Sequence, residues 1–451
     1  MSRVSGSSRA SKLMGRAGDG STLSLDFTAM GGTLDPRITF TRADATPLAT
    51  YINSLGYVTT VTTAQQARFD FDPTTLVAKG LLLEAGATNL FSYSEDFSNG
   101  SWLKSNATSS TNATTAPNGN ATADYMLETA GTSTRFFAKD SGSPGTSTEI
   151  RTFSVYVKIL GRQWVSLCAG TTSGGPYYRI TVDLSNGTIS STDLVNTGMW
   201  FTTTPTNSIS PAGPAGSGWY RITITSRWCQ YYLICPSDTA SPSNSGSNFG
   251  LGFAYLGDTN SGVILWGAQL ELGGASSYIP TVASTVTRAV DTAIIASGSN
   301  FSSWYTGGTT GTFVSNWYGN ASTTTARSVI ATSDQTTKHL HMYQTPSALT
   351  LRLADFNAAA TVTTSNSLTA GALTKGAFSY NGTATSLCLN GGTVATGTLA
   401  FTVAPTWLSI GGPSTNGTSI TDTTVMLNNS IRTLKYFPAR LSDGQIQGLT
   451  T

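Results

Sequence analysis

The chain has 451 residues, more than one hydrophobic core normally spans, so its length predicts two or three domains. Only 11% of the residues are charged and the formal net charge is +2, which argues against a surface built to bind nucleic acid or another polyanion. Gly, Ser, Thr and Asn replace the missing charges while aromatic residues stay at 10%, a composition that favours strands and tight turns over helices. We therefore predict an all-β protein.

The first 20 residues are basic, with Arg3, Arg9, Lys12 and Arg16 ahead of the first acidic residue, Asp19. They contain no apolar stretch of signal-peptide length, and the chain has no apolar run long enough to span a membrane. We expect neither ordinary secretion nor membrane insertion. Two interpretations stay open for these residues: a flexible arm that orders on a partner, and a solvated terminus.

Residues 21–90 form a series of short extended runs: LSLDF, RITFTRAD, YVTTVTT and ARFDFDP, followed by GLLLEAGATNL. Turns separate the runs, so we predict a small β-rich region. The fragment FTRADAT is echoed by VTRAVDT at 286–292. This similarity is too short to indicate a true repeat.

Residues 91–292 carry longer strand-like runs. They include FSVYVKILG, QWVSLCAG, YYRITVDLSNGTI and GWYRITITSRWCQYYLI, with turn residues at the intervals expected of a β-sandwich. The last run, ILWGAQLEL, alternates so that Ile264, Trp266, Ala268, Leu270 and Leu272 share one apolar face. This alternation predicts that the Trp266 indole packs in the core.

Residues 293–451 contain further strand-like runs, among them GTFVSNWYG, ALTLRLAD, KGAFSYNGTATSLCLNGG, TWLSIGGP and NSIRTLKYFPARL. One short helix is predicted after them, because Ser442 and Gln445 make a capping box ahead of Ile446 and Leu449. The four cysteines of the chain fit neither a zinc motif nor a secreted disulfide framework, so we expect buried free thiols.

Several of these motifs resemble known families. KGAFSYNGTATSLCLNGG, WLSIGGP and IRTLKYFPARLSDGQIQGL resemble the laminin G-like or concanavalin A-like lectin fold. SYSEDFSNGSW, FSVYVK, GWYRITIT and ILWGAQLE followed by SYIPT resemble the jelly-roll carbohydrate-binding modules of the galactose-binding-like class. The whole order, led by LDPRITFTRA and GLLLEAGATNL, resembles bacteriophage virion proteins of the tail-fibre, head-fibre and decoration types.

The resemblance implies jelly-roll and β-sandwich domains in tandem. It divides the chain into a flexible basic anchoring arm (1–20), a small virion-attachment region (21–90), a jelly roll (91–292) and a lectin-like sandwich (293–451). The expected product is a fibre- or spike-type virion protein, assembled in the bacterial cytoplasm as a homotrimer, that binds host surface glycans during adsorption. Its N-terminal region would hold it to other virion proteins through Arg3, Arg9, Lys12 and Arg16.

Two alternatives remain. One is a capsid or tail decoration protein whose lectin-like domains serve only protein–protein contacts, since sandwich folds host both uses. The other is a polysaccharide depolymerase, which requires a pair of carboxylates flanking the scissile bond. The acidic residues are few and scattered among turns and strand ends, so we expect no enzymatic activity.

Sugar binding requires flat aromatic faces beside groups that hydrogen-bond to hydroxyls. The candidates are Tyr178, Trp228 and Tyr231 in the middle segment, and Trp304 and Trp317 in the last. Adjacent residues on a strand point to opposite faces, so at most one tyrosine of each Tyr-Tyr pair is expected to line the core. The outward aromatic residues contact either a glycan or a neighbouring subunit.

A calcium site is also implied by the resemblance, because jelly-roll modules of this class often hold a structural ion near their first and last strands. Glu95, Asp96 and Glu271 are the candidate ligands. No other cofactor is expected.

Overall fold

The computed structural model of the chain describes residues 18–29, 31–146, 148–171, 177–195, 204–227, 229–243, 254–320, 325–333, 339–355, 360–399, 401 and 403–451. Strands dominate and helices are few, which confirms the predicted all-β fold with sandwich-like sheets. No helix in these ranges combines the length and the apolar character needed to cross a bilayer.

The elements are numbered in chain order. The strands before residue 100 are β1 Leu23–Asp26, β2 Thr39–Thr41, β3 Thr50–Ile52, β4 Val58–Thr60, β5 Arg68–Phe71, β6 Ala78–Leu83 and β7 Ala87–Asn89. The middle strands are β8 Trp102–Ser105, β9 Ala107–Thr114, β10 Ala123–Glu128, β11 Gly131–Thr134, β12 Phe136–Asp140, β13 Ile150–Leu160, β14 Trp164–Gly170, β15 Tyr177–Asp183, β16 Thr188–Val195, β17 Thr206–Ala212, β18 Trp219–Arg227, β19 Tyr231–Ser237, β20 Ala254–Gly257 and β21 Gly262–Leu272.

The later strands are β22 Val286–Arg288, β23 Thr292–Ile295, β24 Thr310–Tyr318, β25 Arg327–Ser333, β26 His339–Gln344, β27 Thr350–Asp355, β28 Thr361–Ser367, β29 Leu373–Asn381, β30 Ala384–Leu389, β31 Ala395–Thr398, β32 Trp407–Ile410 and β33 Asn429–Phe437. The helices are α1 Ser299–Ser302, a 3-10 turn Thr423–Val425 and α2 Asp443–Thr450.

The middle sandwich consists of two antiparallel six-stranded sheets. One has the order β17-β18-β13-β21-β10-β9 and the other β16-β15-β14-β19-β12-β8. Alternate residues of β13, beginning with Phe153 and Val155, meet Val165 and Leu167 of β14 in one apolar core. The alternation seen in the sequence of β13 therefore gives its buried face.

Strand β21 departs from its predicted alternation at Gly267. The register against β13 shifts there, and Gly267 has a φ of 60°, as a β-bulge requires. Ala268 and Leu270 face the middle core as predicted, whereas Trp266 is buried on the opposite face of the sheet, against Tyr156. The prediction of one continuous apolar face was wrong, because the bulge exchanges the two faces midway along the strand.

The terminal sandwich is built from both ends of the chain. One sheet has the order β31-β30-β29-β24-β33-β6-β5, with β1 also paired to β33, and the other has the order β2-β23-β32-β25-β26-β27-β28. Residues 21–90 therefore do not form a region of their own, which corrects the predicted division. Strands of three to six residues bury too little apolar surface alone, so they complete the sheets of a larger sandwich.

The hairpin β3-β4 lies apart from these sheets. Its residues Ile52 and Val58 pack on the outer face of the middle sandwich, in the cluster that contains Tyr156 and Trp266. The N-terminal part of the chain thus touches both sandwiches.

Helix α2 begins where the sequence predicts. The Ser442 side chain accepts a hydrogen bond from the backbone N–H of Gln445, and the Gln445 side chain accepts one from the backbone N–H of Ser442, so the capping box is confirmed. Ile446 is buried against the terminal sandwich, while Leu449 is exposed. All four cysteines are buried thiols that take part in no disulfide, as expected.

Candidate functional site

A cluster of buried charges lies where residues 274–291 run from the middle sandwich into the terminal one. We call it the junction cluster; its members are Arg42, Asp44, Arg68, Glu84, Arg288 and Asp291. Three arginines face three carboxylates, so the cluster is electrically neutral. Buried ions require such pairing, because each one loses its hydration.

Arg68 is the centre of the cluster. Its guanidinium donates to Glu84 at 2.7 Å, to Asp291 and to the Thr50 carbonyl at 2.9 Å. Arg42 joins Asp44 at 2.8 Å to Asp291 at 3.0 Å. These contacts connect the N-terminal strands to the segment that follows the middle sandwich.

The surroundings of Glu84 keep its side chain ionised. Burial alone would raise its pKa, but the charges of Arg288 and Arg68 and the hydrogen bonds from Ser277 outweigh burial and lower the pKa to about 2. Its Oε1 accepts from the Ser277 N–H at 2.8 Å, and Oε2 accepts from Arg68 and the Ser277 hydroxyl, both at 2.7 Å. Both oxygens therefore already accept hydrogen bonds from the protein.

The two Thr-Arg-Ala fragments of the sequence meet at this cluster. The first supplies Arg42 and the second Arg288. The short echo thus reflects a shared role in one ion cluster, a link that spacing alone did not reveal.

A cleft opens beside the junction cluster, where the N-terminal strands and both sandwiches meet. This junction cleft has a volume of about 370 Å³. Tyr51, Asp70 and Lys79 line it from the N-terminal strands, and Tyr156 and Arg221 from the middle sandwich. A cavity of this size at a domain interface is the usual setting of a small-ligand site.

Asp70 supplies a carboxylate to the wall of the cleft. Its Oδ1 accepts from the Ile52 backbone N–H at 2.8 Å, and its Oδ2 lies 3.6 Å from the Lys79 ammonium. Burial raises the pKa of Asp70, and the Lys79 charge opposes that rise. The remaining lone pairs of the carboxylate can accept hydrogen bonds from a ligand.

Two tyrosines present hydroxyls without a partner. Tyr156 is 4% exposed and lines the cleft, and its hydroxyl makes no hydrogen bond within the described residues. Arg221 lies 5.5 Å from the Tyr156 ring centre and donates to the Ser276 carbonyl at 2.7 Å. Tyr51 is half-buried, and its hydroxyl likewise finds no partner in the described part of the chain. Burial raises the pKa of both tyrosines, so both hydroxyls stay protonated donors.

Three of the aromatic residues predicted to bind sugar are buried: Tyr178 is 3% exposed, Trp304 1% and Trp317 0%. The expectation that they offer free ring faces was wrong. Trp304 packs against Phe301 and Tyr436, at ring-centre distances of 4.8 Å and 5.3 Å, and Trp317 lies in the core of the terminal sandwich.

The tyrosine pairs behave differently from each other. Tyr177 and Tyr178 are both buried, because Tyr178 faces the core of the middle sandwich while Tyr177 packs with Tyr255 of the two-stranded sheet β11-β20 on the outer face. A second layer on a sheet removes the solvent side that the argument from alternation assumed. Tyr232 is buried and Tyr231 is half-buried, so Tyr231 stays a candidate. Trp228 lies outside the described residues.

The proposed calcium ligands have separate partners. Glu95 accepts from the Tyr278 hydroxyl at 3.0 Å, Asp96 caps the turn that follows it, and Glu271 accepts from the Ser276 N–H at 3.0 Å. Within the described ranges no three His, Cys, Asp or Glu side chains form a group able to hold a metal ion. The three residues are thus not one ligand set, and calcium binding as such stays a prediction.

The turn after Asp96 is occupied by a side-chain cation, the ammonium group of Lys104. The Lys104 ammonium donates to the carbonyls of Ser98 and Asn99, both at 3.0 Å, and of Trp102 at 3.2 Å. Burial lowers the pKa of Lys104 and the charges of Asp96 and Asp124 oppose this. A lysine thus satisfies the carbonyls that converge in this turn.

The four basic residues of the predicted anchoring arm, Arg3, Arg9, Lys12 and Arg16, fall outside the described residues. Sequence reasoning missed Tyr51, Asp70, Lys79, Tyr156 and Arg221, which line the cleft. The short runs that contain them, such as ARFDFDP, show only the pattern of ordinary strands. The cleft forms only when distant parts of the chain meet, so no single run indicates it.

No protein-family model matches this sequence, and no curated protein shows significant similarity to it. Among solved structures, a SAP-like pentraxin from Limulus polyphemus is 12% identical with a TM-score of 0.25, covering 32% of this chain and 70% of that one. Domain 4 of AbnA, an extracellular arabinanase from Geobacillus stearothermophilus, is 16% identical with a TM-score of 0.28, covering 40% and 82%.

A third similar structure is the mouse laminin α1 chain, domains LG4-5, at 9% identity and a TM-score of 0.22, covering 66% of this chain and 86% of that one. Scores this low assign neither a family nor a function. The assignment to tandem β-sandwiches rests on the paired strands themselves.

Proposed function

We propose that this chain is a glycan-binding structural protein of a bacteriophage virion, of the fibre or spike type, and that it binds its sugar in the junction cleft. The observation that carries the binding proposal is the cleft itself, with two tyrosine hydroxyls that have no hydrogen-bond partner among the described residues, beside a buried carboxylate. Binding a ligand at such a site costs little conformational entropy, because the surrounding structure already holds the polar groups of the site in place.

The chemistry of the cleft suits a polyhydroxyl ligand. The Tyr51 ring is half-buried and offers an apolar surface, and the Asp70 carboxylate accepts hydrogen bonds. The Tyr51 and Tyr156 hydroxyls and the Lys79 ammonium donate them. Adjacent sugar hydroxyls require both donors and acceptors beside an aromatic face.

We propose binding without hydrolysis. A glycosidase requires one carboxylic acid and one carboxylate that are both free to reach the glycosidic bond. Glu84, which also lines the cleft, has both oxygens engaged by Arg68 and Ser277 and a pKa lowered to about 2. Asp72 also lines the cleft, but its Oδ1 accepts hydrogen bonds from two backbone N–H groups of the turn that follows it, at 3.0 Å and 2.7 Å, so it is held in that turn.

The virion part of the proposal rests on the order of sequence motifs from LDPRITFTRA to SYIPT, and the basic residues before residue 20 are its proposed anchor. A homotrimer and assembly in the bacterial cytoplasm are parts of the same proposal. Antibody labelling of intact particles, imaged by electron microscopy, tests it. Label at the distal tips of fibres or spikes is expected, label spread over the capsid would favour a decoration protein, and unlabelled particles would contradict a virion role.

The binding site is tested with purified full-length protein on an array of immobilised glycans that includes host surface polysaccharide. We expect Asp70→Asn and Tyr51→Ala to weaken binding by about tenfold or more, the loss of roughly one well-made polar or stacking contact. Tyr231→Ala is the matched comparison, because this half-buried tyrosine lies on the middle sandwich outside the cleft. Binding that survives both cleft variants and is lost with Tyr231→Ala would place the site on β19 instead.

A further inference from the structure

A second cavity adjoins the junction cleft. It has a volume of about 330 Å³ and is lined by Phe27, Ser54 and Gln66 among others. Tyr51, Asp70 and Phe71 line both this cavity and the cleft. We call it the β5 cavity, because β5 carries two of the three residues that the two spaces share.

We infer that the junction cleft and the β5 cavity are two subsites of one groove, and that the groove takes a neutral oligosaccharide of at least two sugar residues. This inference rests on the proposed glycan binding. Each space is of the size that holds a small ligand, roughly 300 to 1,000 Å³ for known pockets. A ligand that fills only one of them contacts the shared residues from one side only.

The shared wall explains why the two subsites act together. Tyr51 lies on β3 and Asp70 on β5, and the Asp70 carboxylate fixes β3 through the Ile52 N–H at 2.8 Å. The Tyr51 ring and the Asp70 carboxylate therefore keep one geometry relative to each other. Consecutive sugar residues on either side of this wall would both contact the same two side chains.

The charges of the groove favour a neutral ligand. An acidic sugar is bound through a cation that is free to pair with its carboxylate, most often an arginine in bidentate geometry. Of the two cations of the cleft, Lys79 lies 3.6 Å from Asp70, and Arg221 donates to the Ser276 carbonyl and to the Ser154 hydroxyl.

Three carboxylates, those of Asp70, Asp72 and Glu84, also line the cleft. The charge of Glu84 is offset by Arg68 and Arg288 in the junction cluster, and the charges of Asp70 and Asp72 offset those of Lys79 and Arg221, so the cleft carries no net charge. An acidic sugar such as a uronic acid therefore gains no net electrostatic attraction here, and burying its carboxylate costs more than burying a neutral hydroxyl.

A variant that closes one subsite separates this inference from the proposed function. Ser54 is exposed and lines the β5 cavity but not the cleft, so Ser54→Trp fills the cavity and leaves the cleft open. Leu55→Trp is the matched control, because Leu55 is 64% exposed on the same turn and lines neither space.

The experiment measures binding of the full-length protein and both variants to an array of neutral and uronic-acid-containing glycans, from monosaccharides to hexasaccharides. We expect at least about tenfold tighter binding of a neutral disaccharide or trisaccharide than of its monosaccharide, a free-energy difference of about 1.4 kcal/mol. Ser54→Trp should lose this gain and keep monosaccharide binding, while Leu55→Trp keeps both.

Four results would overturn the inference. Equal binding of monosaccharides and oligosaccharides would leave the cleft as a single-sugar site, and an unchanged preference in Ser54→Trp would show that the second sugar lies outside the β5 cavity; either result leaves the proposed function intact. Preference for the uronic acids would refute the neutral ligand. Binding to no glycan at all would refute the proposed function together with the inference.

Discussion

Removing one charge from the junction cluster should destabilise the protein far more than removing a charge from its surface. Asp291→Asn is the informative change, because it keeps the volume of the side chain and deletes a charge that is fully buried. The Asp291 carboxylate accepts from Arg42 at 3.0 Å, from Arg68, and from the Glu84 backbone N–H at 3.0 Å. The variant would leave three buried arginines facing two carboxylates.

Breaking a buried ion pair by removing one partner typically costs about 3–5 kcal/mol in free energy of unfolding. The matched control is Asp19→Asn. Asp19 pairs with Lys435 at 2.7 Å, but each of these side chains is 36% exposed, and exposed pairs contribute at most about 1 kcal/mol.

Urea unfolding of the full chain at neutral pH, followed by tryptophan fluorescence, measures both variants. A loss for Asp291→Asn no larger than that for Asp19→Asn would refute the view that the cluster holds the N-terminal strands to the terminal sandwich. The pH dependence gives a second check. Since the pKa of Glu84 falls from 4.5 to about 2 on folding, its contribution should be present above pH 4.5 and be lost as the pH falls towards 2.

Three further predictions concern single substitutions, each measured by urea unfolding. Glu271→Gln should raise the free energy of unfolding at pH 7, because burial raises the pKa of Glu271 and its ionisation opposes folding. This gain should vanish below the ordinary pKa of 4.5, and a gain that persists in acid would point to packing instead. Gly267→Ala should cost about 1–3 kcal/mol, since its φ is 60° and a Cβ would lie 2.9 Å from the Tyr156 ring; an unchanged midpoint would show that the bulge relaxes. Gly448→Ala in α2, where a Cβ meets nothing within 4 Å, should instead stabilise by about 0.5–1 kcal/mol, and destabilisation there would contradict the helix assignment.

Composition and alternation predicted the fold class because they depend on local chemistry. Few charges with many Thr, Gly and aromatic residues require strands and turns, and the alternation in β13 identified its buried face through Phe153 and Val155. The capping box of Ser442 and Gln445 likewise depends on residues three apart, and it fixed the start of α2. Features that depend on residues close together in the chain can be predicted from sequence.

The predictions that failed concern contacts between segments that are distant in the sequence. Tyr177 was expected to face solvent or a partner if Tyr178 faced the core, but Tyr255 of the two-stranded sheet β11-β20 packs on the outer face and Tyr177 is buried there. The cleft residues Tyr51, Asp70 and Arg221 lie on separate strands, and nothing in their own runs marks them as neighbours. The bulge at Gly267 was also missed, because a glycine within an alternating run does not by itself show which way the register shifts.

The pairing of the first strand with the last one determines when this protein can fold during synthesis. Leu23 of β1 lies opposite Tyr436 of β33, so β1 emerges from the ribosome long before its partner exists. At about 5–20 residues per second, the wait is roughly 20–80 s. The middle sandwich has its own core and is complete in sequence by β21, so it can form during that interval. Strand β1 and the edge of β6 that pairs with β33 meanwhile stay uncovered and invite association with other chains, and a nascent chain interrupted before β33 would stay in that exposed state.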